Sequence, residues 1–435
     1  MTVCVVGSGG REHVLARVLA RGADVVVTPG NPGMPGAVPG GHTITVSAAP
    51  PDEVEADLVV IGPEAPLVDG LADRLRAAGR SVVGPGADGA RLEGSKAFMK
   101  EVLTDAGVPT ARWGAFTRPG DATAFLRSLP GPWVVKTDGL AAGKGVLVTE
   151  DLAEAEADVV AKLSGAAFGE AGRRVVVEEG LVGEECSLLA LCDGRRAVPL
   201  APARDFKRVA DGDRGPNTGG MGAYSPLAEV DDALTGRLMD DAVEPLLVAL
   251  ARRGIDYRGV LYAGIMLTAE GPKVLEYNVR FGDPEAQVVL PRLAGDPVEL
   301  LRSVADGHLG GVPAQRPDAA VCVVLAADGY PGPVRTGDPI AGLAPDGQLR
   351  YPVEGVTVYH SGTTRAHPEE PFRTAGGRVL GIGALAPTLG EARRRAYEAV
   401  GRVRWPGVHH RRDIAAVPAA ADAAGAAGEQ VVVAE

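Results

Sequence analysis

Pro216-Asn-Thr-Gly-Gly-Met-Gly-Ala-Tyr224 is followed later in the chain by Glu276-Tyr-Asn-Val-Arg-Phe-Gly-Asp-Pro-Glu285, and these two sequences are its most informative features. In the first, three glycines beside an amide and a hydroxyl let the backbone close tightly on a small polar ligand. The second places carboxylates, an amide and a guanidinium directly after an apolar run. A hydrophobic core needs neither arrangement. Together they predict a metal–nucleotide site that faces a small anionic substrate.

Length and composition limit the class of protein. The chain has 435 residues, 46% hydrophobic and 23% charged, which predicts two to four globular domains. Its net charge of −12 argues against a general nucleic-acid binder but leaves room for a local basic pocket. The four cysteines show no CxxC spacing and are typical of buried thiols in a reducing compartment. The sequence has no membrane span or signal peptide, so we expect a cytoplasmic protein.

The order of apolar runs predicts a multidomain protein of α/β and α+β class. Residues 1–100 alternate short β-rich runs with helical patterns, which indicates a parallel α/β domain. Residues 101–318 form the second region, with a small subdomain at about 118–191. Residues 319–417 are expected to form an α+β domain, and the Ala-rich residues 418–435 a disordered tail.

The first loop, Gly7-Ser-Gly-Gly-Arg-Glu-His13, invites a dinucleotide-binding interpretation. The Rossmann fingerprint requires a third glycine where this chain has Glu12, whose charge would face a pyrophosphate. A loop at a helix start can still bind a monophosphate through backbone N–H groups, with Arg11 as a fork. The alternative is a tight strand-to-helix turn in which Glu12 caps the helix.

A second glycine-rich sequence, Lys136-Thr-Asp-Gly-Leu-Ala-Ala-Gly-Lys-Gly145, differs from a P-loop. A P-loop has four residues between its first glycine and Gly-Lys, followed by Ser or Thr, whereas this sequence has three, followed by Gly145. It lies between two predicted strands, as a flap over a polyphosphate would. Lys136 ends an apolar strand and needs a partner, for which an ATP phosphate is suitable. The alternative is a solvated hairpin with unrelated lysines.

Two further patterns suggest where a nucleotide and a metal bind. Val175–Glu185 is a strand that runs into an acidic turn, a weak signal by itself because such turns are common. Glu276 and Asn278 are two apart on a predicted strand, so they share a face and can ligate Mg²⁺ between phosphates. Arg280 is on that face too and can grip a carboxylate or an acyl-phosphate. The alternative is a surface strand end with ion pairs.

Taken together, these motifs resemble those of the phosphoribosylamine–glycine ligases (glycinamide ribonucleotide synthetases), a family of the ATP-grasp superfamily. The resemblance covers about residues 1–414 in order. The sequences that carry it are Gly7–His13, Gly62-Pro-Glu-Ala-Pro-Leu67, Leu92-Glu-Gly-Ser-Lys-Ala-Phe98, Lys136–Gly145, Gly215–Pro226, Arg280–Glu285, Gly329-Tyr-Pro-Gly332, His360-Ser-Gly-Thr363 and Gly376-Gly-Arg-Val-Leu380.

The resemblance implies an ATP-grasp fold and the ATP-dependent ligation of glycine to 5-phosphoribosylamine through glycyl phosphate, with Mg²⁺ or Mn²⁺ as the metal. The implied catalytic residues are Arg280, Asp283 and Lys144, and the implied metal ligands are Glu276 and Asn278. The implied ATP-binding residues are Lys96, Lys136, Gly143, Glu178, Glu179, Leu181 and Glu185. The implied substrate-binding residues are Gly9, Gly10, Arg11, Glu12, Glu64, Asp205, Lys207, Asn217, Thr218, Gly219 and Gly220.

The resemblance also implies small-molecule partners only, with no nucleic acid or membrane, and a monomer or weak homodimer. The chain departs from the family pattern at Arg204, where glutamine is usual, at Gly180, where an aromatic residue is usual, and at Ala415-Ala416, where Gly-Trp is usual. Arg204 motivates an alternative, an ATP-grasp paralogue that joins a different amino acid or amine. An NAD-dependent oxidoreductase and a non-catalytic nucleotide sensor are hypotheses from other classes, opposed by Glu12 and by the Glu276–Asn278 pair respectively.

Overall fold

The computed structural model describes residues 1–140, 145–165 and 173–422. The N-terminal region is a sheet of strand order β3-β4-β2-β1-β5-β6, parallel except for β3. Its elements are β1 (Thr2–Gly7), α1 (Gly10–Leu19), β2 (Asp24–Pro29), β3 (Gly36–Ala37), β4 (Thr43–Val46), β5 (Leu58–Ile61), α2 (Glu64–Val68), α3 (Leu71–Ala77), β6 (Val82–Val83), α4 (Ala87–Gly94) and α5 (Lys96–Ala106).

This sheet confirms the predicted parallel α/β fold. Val3–Val6 of β1 and all of β5 are buried, as expected for strands covered on both faces. The carboxyl ends of β1 and β5 lead into the loops that begin at Gly7 and Gly62, so both loops lie at one edge of the sheet.

The next elements form a small domain, which we call the lid. They are β7 (Trp113–Phe116), α6 (Pro119–Leu126), β8 (Trp133–Thr137), β9 (Val146–Thr149), α7 (Leu152–Leu163) and β10 (Val175–Glu179). The strands pair antiparallel in the order β7-β10-β8-β9. The lid has a hydrophobic cluster of its own, which includes Leu126, Val135, Val159 and Val175. The glycine-rich segment joins β8 to β9, as its position between two predicted strands required.

The central sheet has the strand order β12-β11-β17-β18. This part of the chain contains β11 (Glu184–Asp193), β12 (Ala197–Pro199), β13 (Arg204–Asp205), β14 (Arg208–Ala210), β15 (Arg214–Asn217), β16 (Gly222–Ser225), α8 (Asp232–Leu238), a π-helical turn (Met239–Val243), α9 (Glu244–Arg252), β17 (Arg258–Thr268), β18 (Gly271–Asn278), α10 (Ala286–Val289) and α11 (Pro297–Asp306). The long strand β17 pairs antiparallel with β11 on one side and β18 on the other.

The C-terminal elements are β19 (Ala319–Ala326), β20 (Val356–His360), β21 (Thr363–Thr364), β22 (Arg373–Thr374), β23 (Arg378–Ala386) and α12 (Leu389–Val400). Their sheet has the order β13-β16-β19-β23-β20, so it is completed by two strands that precede it by about a hundred residues. The acceptor loop predicted at 217–220, which directly precedes β16, is therefore attached to the C-terminal sheet.

Two further findings concern single segments. Residues 416–422 are helical, and the Leu389 N–H donates to Asp422 Oδ2 at 3.0 Å, so the predicted disordered tail is wrong for residues 418–422. The remainder of that tail lies outside the described residues. Within 1–140, 145–165 and 173–422, no helix combines the length and the apolar character needed to cross a bilayer.

Candidate active site

Glu178 of β10 is the centre of a buried ion-pair cluster between the lid and the rest of the molecule. Its carboxylate lies 2.6 Å from Lys100 Nζ of α5 and 2.7 Å from Lys136 Nζ of β8. Lys100 Nζ also donates to Thr110 Oγ1 at 2.7 Å, and Lys136 Nζ donates to the Leu275 carbonyl of β18 at 3.2 Å. The cluster therefore joins three parts of the fold at one point.

This cluster contains two amines but only one carboxylate, so its charges do not cancel. Burial lowers the pKa of Lys100 to about 8, although the Glu178 carboxylate opposes that shift. Burial also acts to raise the pKa of Glu178, but Lys136 and Lys100 outweigh it and hold that pKa below its usual range. Because one carboxylate faces two amines, the protonated cluster is positive overall and suits a phosphate.

Lys96 is placed by the start of α5. The Ser95 side chain caps this helix, and Ser95 Oγ donates to Asp138 Oδ1 at 2.9 Å, next to the glycine-rich segment. Lys96 Nζ lies 3.5 Å from the Gly139 carbonyl oxygen. Burial lowers the pKa of Lys96, while the nearby Glu276 carboxylate opposes that shift. Lys96 thus lies between the glycine-rich segment and the predicted metal ligands.

Glu276 and Asn278 occupy alternate positions of β18, which places them on one face. Within the described ranges, neither side chain has a hydrogen bond or ion pair to another residue. Burial acts to raise the pKa of Glu276, but Lys207, Lys136 and Lys96 outweigh it and keep the carboxyl group ionised. An ionised carboxylate and an amide oxygen that no protein group engages are ligands that Mg²⁺ or Mn²⁺ accepts.

The donor set fits a metal that is completed by its substrate. The described part of the chain contains no group of three or more His, Cys, Asp or Glu side chains arranged to hold a metal ion. Mg²⁺ characteristically takes one or two protein ligands and keeps water and nucleotide phosphates for the rest. Two ligands on β18 are therefore sufficient for a metal that arrives with a nucleotide.

Arg280 follows β18 and lies between two carboxylates. Its Nη2 is 2.8 Å from Glu93 Oε1, and its Nε is 3.3 Å from Glu64 Oε2. Glu93 Oε2 also accepts from the Val279 N–H at 2.9 Å, so Glu93 holds the backbone and the side chain of this turn together. Burial raises the pKa of Glu93, and Arg280 opposes that shift. The guanidinium is consequently fixed in direction before any ligand binds.

In the N-terminal loop, the Glu12 side chain binds its own neighbours. This side chain is 2% exposed and turns inward, where its Oε2 accepts from the Gly9 N–H at 2.6 Å and its Oε1 from Arg11 Nε at 2.6 Å. A Cβ atom on Gly62 would lie only 2.2 Å from Glu12 Oε1. Arg11 is 8% exposed and also donates to the Phe281 carbonyl at 3.3 Å. Glu12 therefore caps α1, which is one of the two alternatives that the sequence left open, because the glycines leave space for its carboxylate. The roles of Arg11 and Glu12 in substrate binding stay predictions.

Asp283 links three parts of the site. Its Oδ1 accepts from Gln287 Nε2 at 2.8 Å, and its Oδ2 lies 3.0 Å from Arg378 Nη2 of β23. A Cβ atom on Gly9 would be 3.8 Å from Asp283 Oδ2, so the N-terminal loop is adjacent. Burial acts to raise the pKa of Asp283, but Arg378 and Arg11 outweigh it. The aspartate is thus ionised and held from both sides.

Asp205, Lys207 and Glu185 form a second charged group, next to Glu276. Lys207 Nζ pairs with Glu185 and lies 3.3 Å from Asp205 Oδ1. Burial, with Glu285 and Glu185 nearby, raises the pKa of Asp205 to about 7 although Lys207 opposes the shift. Glu185, one of the predicted ATP-binding residues, is an ion-pair partner of Lys207 here.

We expect Asp205→Asn to change the pH dependence of stability. The folded protein keeps a proton on Asp205 that the unfolded chain releases near pH 4, so this group makes the free energy of unfolding fall between about pH 4 and about pH 7. The variant lacks that fall, so its stability relative to the parent should increase with pH across this window. Urea unfolding at pH 5 and pH 7.5 measures it, with Asp240→Asn as the control for loss of an exposed carboxyl group. A difference that does not change with pH would contradict the assignment.

The hinge between β10 and β11 contains two of the predicted ATP-binding residues, Glu179 and Leu181. Glu179 Oε1 accepts from the Arg112 N–H at 2.9 Å, and Leu181 is half-buried. The Gly180 N–H donates to the Pro132 carbonyl at 2.7 Å, and a Cβ atom on Gly180 would lie 2.5 Å from Pro132 Cγ. The space that a side chain would need is thus filled by proline.

Arg204 is held by two carboxylates and a backbone carbonyl. Its Nη1 is 2.7 Å from Glu184 Oε2, its Nη2 is 2.6 Å from Glu229 Oε1, and its Nε donates to the Glu185 carbonyl at 2.7 Å. Neighbouring residues of a strand point to opposite faces, so Arg204 and Asp205 cannot both face Lys207. The departure from glutamine at this position therefore adds a local ion-pair cluster with Glu184 and Glu229.

The structure brings most of the predicted residues together but shows that others support them. Lys96, Lys136, Glu276 and Arg280 converge, and Thr218 Oγ1 of the acceptor loop donates to the Lys207 carbonyl at 2.8 Å. Gly143 and Lys144 lie outside the described residues. Sequence reasoning missed three residues that hold the site, namely Lys100, Glu93 and Arg378. Two of them, Glu93 and Arg378, lie inside quoted motifs, which is the only signal that pointed to them.

A parallel N-terminal domain, a lid that contributes Lys136, and a central sheet that carries Glu276 and Asn278 define an ATP-grasp protein. The biotin carboxylase domain of Hydrogenobacter thermophilus 2-oxoglutarate carboxylase has this fold. It matches with a TM-score of 0.68 at 16% identity, over 94% of this chain and 91% of that chain. At this identity the likeness concerns the fold alone.

The chain belongs to the phosphoribosylglycinamide synthetase family. Residues 1–93 match its N domain, 94–286 its ATP-grasp (A) domain and 320–417 its C domain. Phosphoribosylamine–glycine ligase of Caulobacter vibrioides is 47% identical over 426 residues, covering 95% of this chain and 97% of the relative. That of Streptomyces coelicolor is 47% identical over 433 residues, covering 97% and 100%. The crystal structure of the Thermotoga maritima ligase matches at 34% identity with a TM-score of 0.79, over 95% of this chain and all of that one. The division at residues 100 and 318 stays a prediction.

Proposed function

We propose that this protein ligates glycine to 5-phosphoribosylamine at the expense of ATP, giving glycinamide ribonucleotide, ADP and phosphate. The observation that carries the proposal is the match to all three domains of one ligase family in order, together with the convergence of Lys96, Lys136, Glu276 and Arg280. We place the reaction in de novo purine biosynthesis and expect it to take place in the cytoplasm. The enzyme is proposed to act as a monomer or a weak homodimer. The buried thiols Cys4, Cys186, Cys192 and Cys322 suit a reducing compartment.

The nucleotide is proposed to bind between the lid and the central sheet. Lys96 and Lys136 are proposed to contact the phosphates. Both amines lie near Glu276, the proposed metal ligand, so they can neutralise the negative charge of a polyphosphate bound there with its metal. The hinge at Glu179 and Leu181 holds the adenine edge, and Glu178 orients Lys136 from behind. ATP binding by Gly143 and a catalytic role for Lys144, both outside the described residues, stay predictions from the sequence.

Glu276 and Asn278 are proposed to hold the divalent metal, Mg²⁺ in preference to Mn²⁺. Their oxygens are available on one face of β18, and Glu276 is kept ionised by its cationic neighbours. When bound, the metal neutralises phosphate charge as the γ-phosphoryl group is transferred.

In the first step, a glycine carboxylate oxygen attacks the γ-phosphorus of ATP and ADP leaves, which forms glycyl phosphate. Arg280, fixed by Glu64 and Glu93, is proposed to stabilise the charge on this acyl phosphate. In the second step the amine nitrogen of phosphoribosylamine attacks the acyl carbon, phosphate leaves, and the nitrogen loses a proton. Holding both reactants in place supplies much of the rate enhancement.

The acceptor side is proposed to include the loop at 217–220, Gly9, Gly10, Glu64 and Asp283. These groups lie at the edge where the N-terminal loops meet the C-terminal sheet. Asp205 at the end of β13 and Lys207 just after it are proposed to lie beside this acceptor side.

The proposal is tested by ADP release across the amino acids, with phosphoribosylamine generated in place. We expect release that requires glycine, the sugar amine and a divalent metal together. Absence of glycine-dependent turnover would remove the proposed function.

We expect Arg204→Gln to leave the choice of amino acid unchanged. The Arg204 guanidinium is committed to Glu184, Glu229 and a carbonyl, so kcat/KM for glycine should stay within about threefold of the parent. The loss of these partly exposed pairs should cost at most about 1 kcal/mol of stability. Steady-state kinetics with glycine, alanine and serine measure the first expectation. A switch of preferred amino acid would show that Arg204 acts on the substrate.

A further inference from the structure

Arg378, the first residue of β23, reaches from the C-terminal sheet to two loops of the site. Its Nη1 donates to the Asp283 carbonyl at 2.6 Å and to the Gly219 carbonyl, and its Nη2 lies 3.0 Å from Asp283 Oδ2. One guanidinium therefore engages three acceptors on two segments that are about sixty residues apart in sequence. None of the three acceptors belongs to β23, so these bonds reach outside the strand that carries Arg378.

The same C-terminal region also binds the backbone N–H of Gly219. The Gly219 N–H donates to the Tyr330 hydroxyl at 2.9 Å, while Arg378 takes its carbonyl. Tyr330 is close to Gly377, where a Cβ atom would lie 2.4 Å from its ring. The backbone N–H and carbonyl of Gly219 are thus both bound by residues of the C-terminal region.

The two loops also meet each other directly. Gly220 has φ +104°, and a Cβ atom there would be 2.4 Å from Pro284 Cδ. This contact and the Arg378 bridge together leave the acceptor loop and the Asp283 turn little freedom to shift independently. The nucleotide-facing residues Lys96 and Lys136 have no bond to Arg378 in the described ranges.

We propose that Arg378 is a positioning residue that holds the acceptor loop and Asp283 in the geometry required for ligation. The inference rests on the proposed function and deepens it. Arg378 couples the C-terminal sheet to both loops of the acceptor side, and nucleotide binding is expected to be independent of it. A merely structural arginine would affect stability and every substrate alike.

The kinetic test is Arg378→Met, with Arg378→Lys and Arg373→Met beside it. We expect kcat for Arg378→Met to fall about 100-fold, because a shift of about 1 Å in a reacting group has that effect, with KM for ATP within about threefold. Lysine keeps the charge but cannot bridge three acceptors, so it should recover only part of kcat. Arg373 is half-buried and donates to the Gly337 carbonyl at 2.9 Å, away from both loops, so its variant should match the parent. A kcat within threefold of the parent, or an equal loss of ATP affinity, overturns the inference.

Hydrogen exchange separates this inference from the proposed function. In Arg378→Met, amides of peptides that cover residues 215–224 and 280–287 should exchange at least about tenfold faster, whereas lid peptides over 175–185 should not change. Unchanged exchange at 215–224 overturns the positioning role whatever reaction the enzyme performs. A parent enzyme with no glycine-dependent turnover, but with this exchange pattern, removes the proposed function and leaves the role of Arg378 supported.

Discussion

Glu276→Ala is expected to abolish ATP-dependent turnover, with a loss of about 10³-fold or more in kcat. Glu276 is the only carboxylate of the proposed metal pair, and within the described ranges its side chain has no hydrogen bond or ion pair at contact distance. Its loss leaves Asn278 as a neutral ligand and removes a charge that compensates Lys96 and Lys136. ADP release at saturating glycine and sugar amine, titrated with Mg²⁺, measures the effect.

The matched control is Glu270→Ala, in the turn between β17 and β18 of the same hairpin. Glu270 pairs with Lys273 and its side chain is 75% exposed, so its loss should leave kcat unchanged. Glu276→Gln removes the charge without the volume and should be nearly as inactive as Glu276→Ala, with both variants folded by circular dichroism. Near-normal turnover of a folded Glu276→Ala would take Glu276 out of the metal site.

Glu178→Gln is expected to destabilise the protein by about 3–5 kcal/mol. The change leaves Lys100, whose side chain is fully buried, and Lys136 without the carboxylate that compensates both. Removing one partner of a buried pair is costly because the remaining charge stays desolvated. Urea unfolding followed by tryptophan fluorescence suits this test, because Trp113 and Trp133 are both in the lid.

A double-mutant cycle separates this ion pair from a general loss of packing. We expect Lys100→Met combined with Glu178→Gln to be less destabilising than the sum of the single variants, by at least about 1 kcal/mol. Glu156→Gln, which breaks the exposed Arg127 pair in the same lid, should have a much smaller effect on stability than Glu178→Gln, because solvent screens an exposed pair. Additive single effects, or a Glu178→Gln variant as stable as the Glu156→Gln control, would contradict the coupled cluster.

Local patterns predicted much of the fold. The alternation over residues 1–100 corresponds to the parallel sheet, and the glycine-rich segment after Lys136 does join two strands of a small domain. Strand periodicity also placed Glu276 and Asn278 on one face of β18. These predictions succeeded because they depend on neighbours in sequence, through the alternation of side chains and the conformational freedom of glycine.

The sequence predicted the directions of charged side chains less well than it predicted the strands and loops. Arg204 looked like a substrate-facing change but pairs with Glu184 and Glu229, and Glu12 looked substrate-facing but caps its own helix. Lys100 was missed because a lysine in a short helix gives no sign that it is fully buried. For Lys100 and Arg204 a partner distant in sequence decides the direction, since a buried charge turns toward whatever can compensate it. Glu12 instead turns toward its own loop, where it pairs with the Gly9 N–H and Arg11.

The sequence by itself determined the class of this protein, because its long motifs and their order carry the ATP-grasp ligase pattern and its strand alternation carries the metal pair. Only the tertiary structure decided how the acceptor side is assembled. There β13 and β16 leave the middle of the chain to complete the C-terminal sheet, and Arg378 of that sheet closes on Gly219 and Asp283. Strand pairing and ion pairing between distant segments depend on which groups folding brings within hydrogen-bonding distance, and no local pattern encodes that distance.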